Sequence, residues 1–210
     1  MNYELANAKK NLRSTVKSRL NTLKLDRVDA AMRLYERLVA IPNVKRAKTI
    51  GVFVDFGTEI ATRCFIPDLF NGEGTTRTVG VPFCVGSEMR FFKLSRPDLD
   101  PETNAPVFHD LVPMSFGILE PKPELRQQPE MIIGPDDFDV MITPGLAFDL
   151  HGRRLGRGAG FYDRYLPQLR HDAFIVGVGY EEQLVEHLPT GDYDFNIHAV
   201  VTPDRVVVFE

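Results

Sequence analysis

The sequence predicts an α/β fold: a three-layer sandwich with a mostly parallel central sheet and antiparallel strands at its edges, in one domain over residues 1–210. Short β-branched apolar runs alternate with helical patterns, the order that puts helices on both faces of a parallel sheet. A hydrophobic fraction of 43% over 210 residues supplies a sizeable core. No internal repeat or low-complexity tract interrupts the alternation.

Each element follows from its residues. Leu5, Ala8, Leu12, Val16, Leu20 and Leu23 recur at steps of three and four, one stripe of a helix. Lys9, Lys10, Arg13, Lys17 and Arg19 lie mostly off that stripe. Asp26 is placed to cap a second helix through Val28, Ala31, Leu34, Tyr35 and Leu38, and Pro42 stops it. "TIGVFV", Thr49 to Val54, reads as a buried strand. Thr58 caps a further helix through Ile60, Ala61, Cys64 and Phe65. "NGEGTTRT", Asn71 to Thr78, is a polar turn. "VGVPFC" and "EMRFFKL" follow as strands, and the Pro-rich stretch from Pro97 to Pro113 is a long ordered loop. "FDVMITP", Phe138 to Pro144, and "FIVGVGY", Phe174 to Tyr180, are central strands. "AVVT" and "RVVVFE", parted by Pro203-Asp204, make a closing hairpin.

Charge and cysteine content narrow the function. A formal net charge of −4 argues against a general polyanion binder, leaving room for a local basic site. Cys64 and Cys84 are too few and too far apart for a metal cluster or a disulfide framework, which fits a reduced cytoplasmic protein. The N-terminus lacks the apolar core of a secretory signal, Glu4 argues against a transit peptide, and no run is long enough to cross a bilayer. No membrane and no nucleic-acid partner is expected, and the chain is expected to be a monomer. The five histidines share no spacing and read as structural or surface residues.

Ligands of open parallel sheets bind outside the carboxyl ends of the strands. The Phe138 strand delivers "PGLAFDLHGRRLGRGAGFYDRYL" to that place. Gly156, Gly158 and Gly160 alternate there, permitting positive φ and close approach to the backbone. Amides feeding a helix that begins near Ala159 or Gly160 form an anion nest, and Arg153, Arg154 and Arg157 add forked cations that suit phosphate. The spacing matches neither the Walker nor the dinucleotide pattern, and a flexible connector with solvated arginines has the same composition. Asp163 either complements the helix dipole or, with phosphate oxygens, holds Mg²⁺. On helical spacing Phe161, Tyr165 and Leu169 face the core and Tyr162 lies on another face.

"ITPGLAFDLHGRRLGRGAGFYDRYL", Ile142 to Leu166, resembles the signature of the 5-formyltetrahydrofolate cyclo-ligase (methenyltetrahydrofolate synthetase) family. "KKNLR" (Lys9 to Arg13), "VFVDFGTEIAT" (Val52 to Thr62), "SFGILEP" (Ser115 to Pro121) and "LPTGDYDFNIHAVVT" (Leu188 to Thr202) are similar to further family segments, in the expected order. Ala159 stands where many members have Gly or Lys, Phe161 where many have Tyr, and Asn196 where Asp is frequent.

The resemblance implies ATP-driven closure of 5-formyltetrahydrofolate to 5,10-methenyltetrahydrofolate, with release of ADP and phosphate. It implies ATP contacts at Lys9, Lys10, Arg13, Arg154, Gly156, Arg157, Gly158, Ala159, Gly160, Phe161 and Tyr162, with Arg157 and Tyr162 catalytic. It implies that folate meets Arg157, Gly158, Ala159, Gly160 and Phe161, with Glu59 on the pterin, Val54, Met89 and Phe116 as apolar walls, and Gly117 and Glu120 nearby. Asp163 and Asp192 match the Mg²⁺ carboxylates. On their own residues the basic helix also reads as a solvated face, Glu59 as a helix-start acid, Asp192 as a loop residue and the apolar walls as core. The alternatives are a non-catalytic nucleotide- or folate-binding regulator of the same fold and a nucleic-acid module built on the arginine loop, which the acidic balance disfavours.

Overall fold

The computed structural model describes residues 3–189, 191 and 195–209, and of Phe116 the backbone alone. Helices α1 (Tyr3–Asn21) and α2 (Arg27–Ala40) form where the apolar stripes predict them. The Asp26 carboxylate accepts from the amides of Val28 and Asp29 at 2.9 and 3.1 Å, satisfying two donors that a helix start leaves over. Ile41 precedes a proline and is extended, so α2 ends there, and Pro42 opens the short α3 (Pro42–Arg46). Strand β1 (Thr49–Val52) follows.

The helix expected from Thr58 does not form. A 3-10 turn over Thr62–Cys64 leads instead into the four-residue α4 (Ile66–Leu69). Pro67 has no amide to continue an earlier helix. The Thr62 hydroxyl donates to the Phe53 carbonyl at 2.7 Å and accepts from the Asp55 amide at 3.0 Å, pulling the chain back toward the end of β1.

The two expected strands form as β2 (Thr78–Val85) and β3 (Glu88–Lys93), paired as a hairpin. The stretch expected as irregular loop carries two small hairpins in and just beyond it. These are β4 (Asp98–Leu99) with β5 (Pro106–Val107), and β6 (Leu111–Pro113) with β7 (Leu119–Pro121). Then come β8 (Ile132–Ile133), β9 (Val140–Thr143), β10 (Ala147–Asp149), β11 (Arg154–Leu155) and α5 (Phe161–Tyr165). The chain closes with β12 (Phe174–Val178), β13 (Leu184–Val185), β14 (Ala199–Val201) and β15 (Val206–Val208).

The main sheet runs β15-β14-β12-β9-β1-β2-β3-β8. The pairings from β14 through β2 are parallel, and β15, β3 and β8 are antiparallel at the edges, as the sequence predicts. Alternation sorts the two faces. Ile50, Val140, Ile142, Val176 and Val178 cluster with Leu34 and Leu38 of α2. Met141, Ile175 and Val200 cluster with Tyr165 and Leu169 on the other face. That second face also carries glycines. A Cβ on Gly51 would stand 2.5 Å from Met141 Cε, one on Gly80 2.8 Å from Ile133 Cδ1 and 3.2 Å from Phe138, and one on Gly177 2.4 Å from Phe148. Their bare backbone lets the aromatic rings lie down on the sheet.

Two polar hubs brace the amino ends of the strands. Arg77, 6% exposed, donates to the carbonyls of Val44, Lys45, Ala47, Leu69 and Asn71 at 2.9–3.5 Å, tying α3 and α4 together. Asp139 accepts from the amides of Lys48 and Thr49 at 2.6 and 2.9 Å and from Arg170, joining β1 to β9. Among the described residues, no helix is long and apolar enough to cross a membrane.

Candidate active site

A cavity of about 350 Å3 opens past the carboxyl ends of β1 and β9. Phe53 and Val54 leave β1 into it, Pro144 and Gly145 leave β9, and the β2–β3 hairpin contributes Phe83, Cys84 and Met89. Its walls are therefore largely apolar, with polar groups brought in by two loops.

The first loop is the glycine-rich one. Asp149, fully buried, accepts at Oδ1 from the amides of His151 and Arg153 (2.9 and 3.0 Å) and at Oδ2 from the Leu188 amide (3.0 Å). This fixes the turn between β10 and β11 that aims residues 156–160 at the cavity. Gly158 and Gly160 have φ of 121° and 69°, where an L side chain is strained. Gly156 needs room instead: a Cβ there would lie 3.2 Å from Arg154 Nη1. The helical run expected from Phe161 to Leu169 is split, because Pro167 turns it into a 3-10 turn after five residues of α5. Phe161 and Tyr162 both pack against the same cluster as Tyr165, so Tyr162 is not set apart on another face. With so short a helix, the arginines rather than a macrodipole supply the positive potential.

Arg154 is buried. Its Nη2 meets Asp163 Oδ1 at 2.5 Å, its Nη1 donates to the Pro144 carbonyl at 3.1 Å, and its guanidinium lies 5.4 Å from the Tyr162 ring centre. The Tyr162 hydroxyl is buried and unpartnered. Burial, and then the Glu59 charge, push its pKa far up, so the phenol stays protonated and is a donor in search of an acceptor. Arg13 of α1 donates from Nε to the Gly156 carbonyl at 2.9 Å, and its guanidinium lies alongside Gly158.

The second loop follows β1. Glu59 accepts from the Phe56 amide at 2.9 Å through Oε2 and from Arg157 Nε at 2.8 Å through Oε1, while Arg157 Nη2 donates to the Phe56 carbonyl at 3.2 Å. Burial raises the Glu59 pKa, and the Arg157 charge pulls part of the way back. Arg27 holds the loop from outside, donating from Nη2 to the Glu59 carbonyl at 2.5 Å and from Nε to the Tyr180 hydroxyl at 3.3 Å.

Most sequence-predicted residues converge here. Val54, Glu59, Met89 and Glu120 line the cavity. So do Arg154, Gly156, Arg157, Ala159, Gly160, Phe161, Tyr162 and Asp163. Gly158 is part of the same loop but not of the lining, and Arg13 stands directly behind it. Gly117, with φ of 77°, turns the chain just before Ile118 of the wall. Lys9 and Lys10 lie on α1 away from the lining, Lys9 half-buried and Lys10 exposed. The Phe116 side chain and Asp192 lie outside the described residues. Arg27 and Tyr180 escaped the sequence reading. Arg27 left a trace: a cation in the first turn of α2 opposes the helix dipole, so its placement there has a tertiary cause. Phe53, Phe83 and Cys84 left none, because apolar wall and apolar core look alike in sequence.

The family model described as the 5-formyltetrahydrofolate cyclo-ligase family matches residues 5–203. The chain belongs to the 5-formyltetrahydrofolate cyclo-ligase family. It is similar to the 5-formyltetrahydrofolate cyclo-ligase of Escherichia coli K12, at 35% identity over 172 residues covering 81% of this chain and 86% of that one. The cyclo-ligase of Haemophilus influenzae is 31% identical over 180 residues, 85% of this chain and 88% of its own. The solution structure of Aquifex aeolicus 5,10-methenyltetrahydrofolate synthetase superposes with a TM-score of 0.75 at 27% identity, covering 96% of this chain and 93% of that one. In this cyclo-ligase-family chain the glycine-rich loop carries Arg157 to the cavity, between Arg154 of β11 and Asp163 of α5.

Proposed function

We propose that this protein closes 5-formyltetrahydrofolate to 5,10-methenyltetrahydrofolate in the cytoplasm, using ATP with Mg²⁺ and releasing ADP and phosphate. The observation that carries the reading is one largely apolar cavity, edged by the carboxylates of Glu59, Glu120 and Asp163, to which the glycine-rich segment brings Arg154 and Arg157. An apolar slot suits the flat pterin. Glu59, with two oxygens, accepts from the amino-pyrimidine edge, while Val54 and Met89 cover the ring faces. Arg157 and Arg154, with Arg13 behind the loop, neutralise the triphosphate.

Little side-chain nucleophilicity is required, because both reactants carry their own reactive atoms. The formyl oxygen attacks the γ-phosphorus and ADP leaves. N10 then adds to the carbon that bears the phosphorylated oxygen, the C–O bond breaks, and phosphate leaves carrying the proton that N10 gives up. Tyr162, held neutral by burial, donates to a ligand oxygen rather than acting as a base. A carboxylate beside phosphate oxygens is a donor set that Mg²⁺ accepts, so Asp163 fits the ion, with Asp192 as its second carboxylate. Bound there, the ion offsets triphosphate charge. Asp163 is also bonded to Arg154, so it would serve the ion and that guanidinium together.

Purified protein supplied with ATP, Mg²⁺ and 5-formyltetrahydrofolate is expected to generate the near-ultraviolet absorbance of the methenyl product. Binding of both ligands without that absorbance identifies a non-catalytic regulator instead.

A further inference from the structure

Beside the apolar cavity lies a second depression of about 480 Å3 that shares Met89 and Phe161 with it as a dividing wall. Its character differs. Ser87 and Arg90 come to it from the β2–β3 hairpin, and Arg164 and Gln168 from α5 and the turn behind it. Arg164 spans the two sides: Nη1 donates to the Ala159 carbonyl at 3.0 Å, Nη2 to the Ser87 carbonyl at 3.1 Å, and its guanidinium lies 5.3 Å from the Phe161 ring centre. Those hydrogen-bond partners are neutral. Arg90 pairs with Glu88 at 3.0 Å, with side chains 52% and 68% exposed. An ion pair so open to water is weak and exchanges readily for another carboxylate.

Resting on the cyclo-ligase reading, we propose that this second depression receives the carboxylate-bearing tail of the folate substrate, with Arg164 and Arg90 as its cationic contacts. The substrate is longer than its pterin. An aminobenzoyl linker carries at least one glutamate, whose carboxylates are costly to leave unpaired among apolar walls. The tail must therefore leave the first cavity. On the side of the glycine-rich loop it would run into the triphosphate, charge against like charge. On the β1 side the Glu59–Arg157 pair and the Arg27 clamp close the way. Past Met89 and Phe161 it meets an apolar wall for the linker and two guanidinium groups for the carboxylates. Glu88 opposes the tail, and displacing it from Arg90 is part of binding. Gln168 donates to the Arg164 carbonyl at 2.8 Å and steadies the turn from which that arginine projects.

The test compares kcat/KM for the triglutamate form of the substrate with kcat/KM for the tail-less pteroate form, read as a ratio so that general damage cancels. Wild type is expected to prefer the triglutamate at least tenfold. Arg164→Gln and Arg90→Gln each lower the ratio, the double variant brings it within twofold of one, and Arg164→Lys keeps most of it. A ratio near one in wild type, or a wild-type ratio surviving in the double variant, overturns the tail site. If the Arg164 variants do not fold, Arg90→Gln decides alone, since its side chain is exposed: an unchanged ratio overturns the proposal. Equal turnover of both forms sinks the tail site only, whereas turnover of neither sinks the cyclo-ligase reading and the tail site with it.

Discussion

Glu59 and Arg157 are bonded to each other at 2.8 Å, yet each is proposed to serve a different substrate. Each keeps further lone pairs or N–H groups for its ligand, so the pair holds while the site fills. Arg157→Ala is expected to lower kcat by about a hundredfold or more, the scale of losing one charge-stabilising donor, while far-ultraviolet circular dichroism stays native. Glu59 is legible through pH. Its pKa is raised, and the carboxylate form is the one that accepts from the pterin, so folate affinity falls on acidification at a pH above the ordinary glutamate range. Glu59→Gln is expected to bind folate more weakly and to flatten that dependence, measured by ligand-induced fluorescence across the acid range. At this scale the sequence, through one long motif, singled out Arg154 and Asp163, two residues of the cavity lining. It was silent on their mutual hydrogen bond, because contact between side chains nine residues apart is decided by the β11–α5 turn and not by composition.

Among the elements, boundaries with a local chemical cause were legible and those with a tertiary cause were not. Asp26 and Pro42 bracket α2 as predicted, since a cap and a missing amide act on their own neighbours. The helix expected from Thr58 fails because Thr62 and Asp55 bond across the turn instead, with Asp55 also gripping Arg63. Arg77 gave no sign in sequence that it gathers five carbonyls. Arg77→Met is expected to strip partners from buried carbonyls and to cost about 3 kcal/mol, seen as a lower urea midpoint with unchanged m-value. For Asp139 burial opposes ionisation, but the Thr49 and Lys48 amides and Arg170 outweigh it and hold the pKa below the usual value. Its contribution to stability is therefore complete above the ordinary carboxylate pKa and is lost as pH falls through the depressed, folded-state one. Urea titrations at stepped acid pH are expected to show Asp139→Asn lowering stability at neutral pH and losing less of it on acidification than wild type.

For the whole molecule, the parallel sheet with antiparallel edges followed from the alternation of patterns, but strand order did not, since no single sequence states which apolar run lies beside which. Nor did alternation reveal the glycine row under Phe138 and Phe148. Gly177→Ala is expected to cost about 1–3 kcal/mol in denaturant unfolding, because the new methyl falls within 2.4 Å of the Phe148 ring. Strand order has a consequence for synthesis. β1 lies in the middle of the sheet, but one of its neighbours, β9, pairs residue 140 with residue 50. Until the ribosome has passed that point, the nascent chain holds a half-built sheet with a bare apolar rim. A fragment ending near residue 134 is accordingly expected to be sticky and chaperone-dependent, and ligand binding to be a property only of the nearly finished polypeptide.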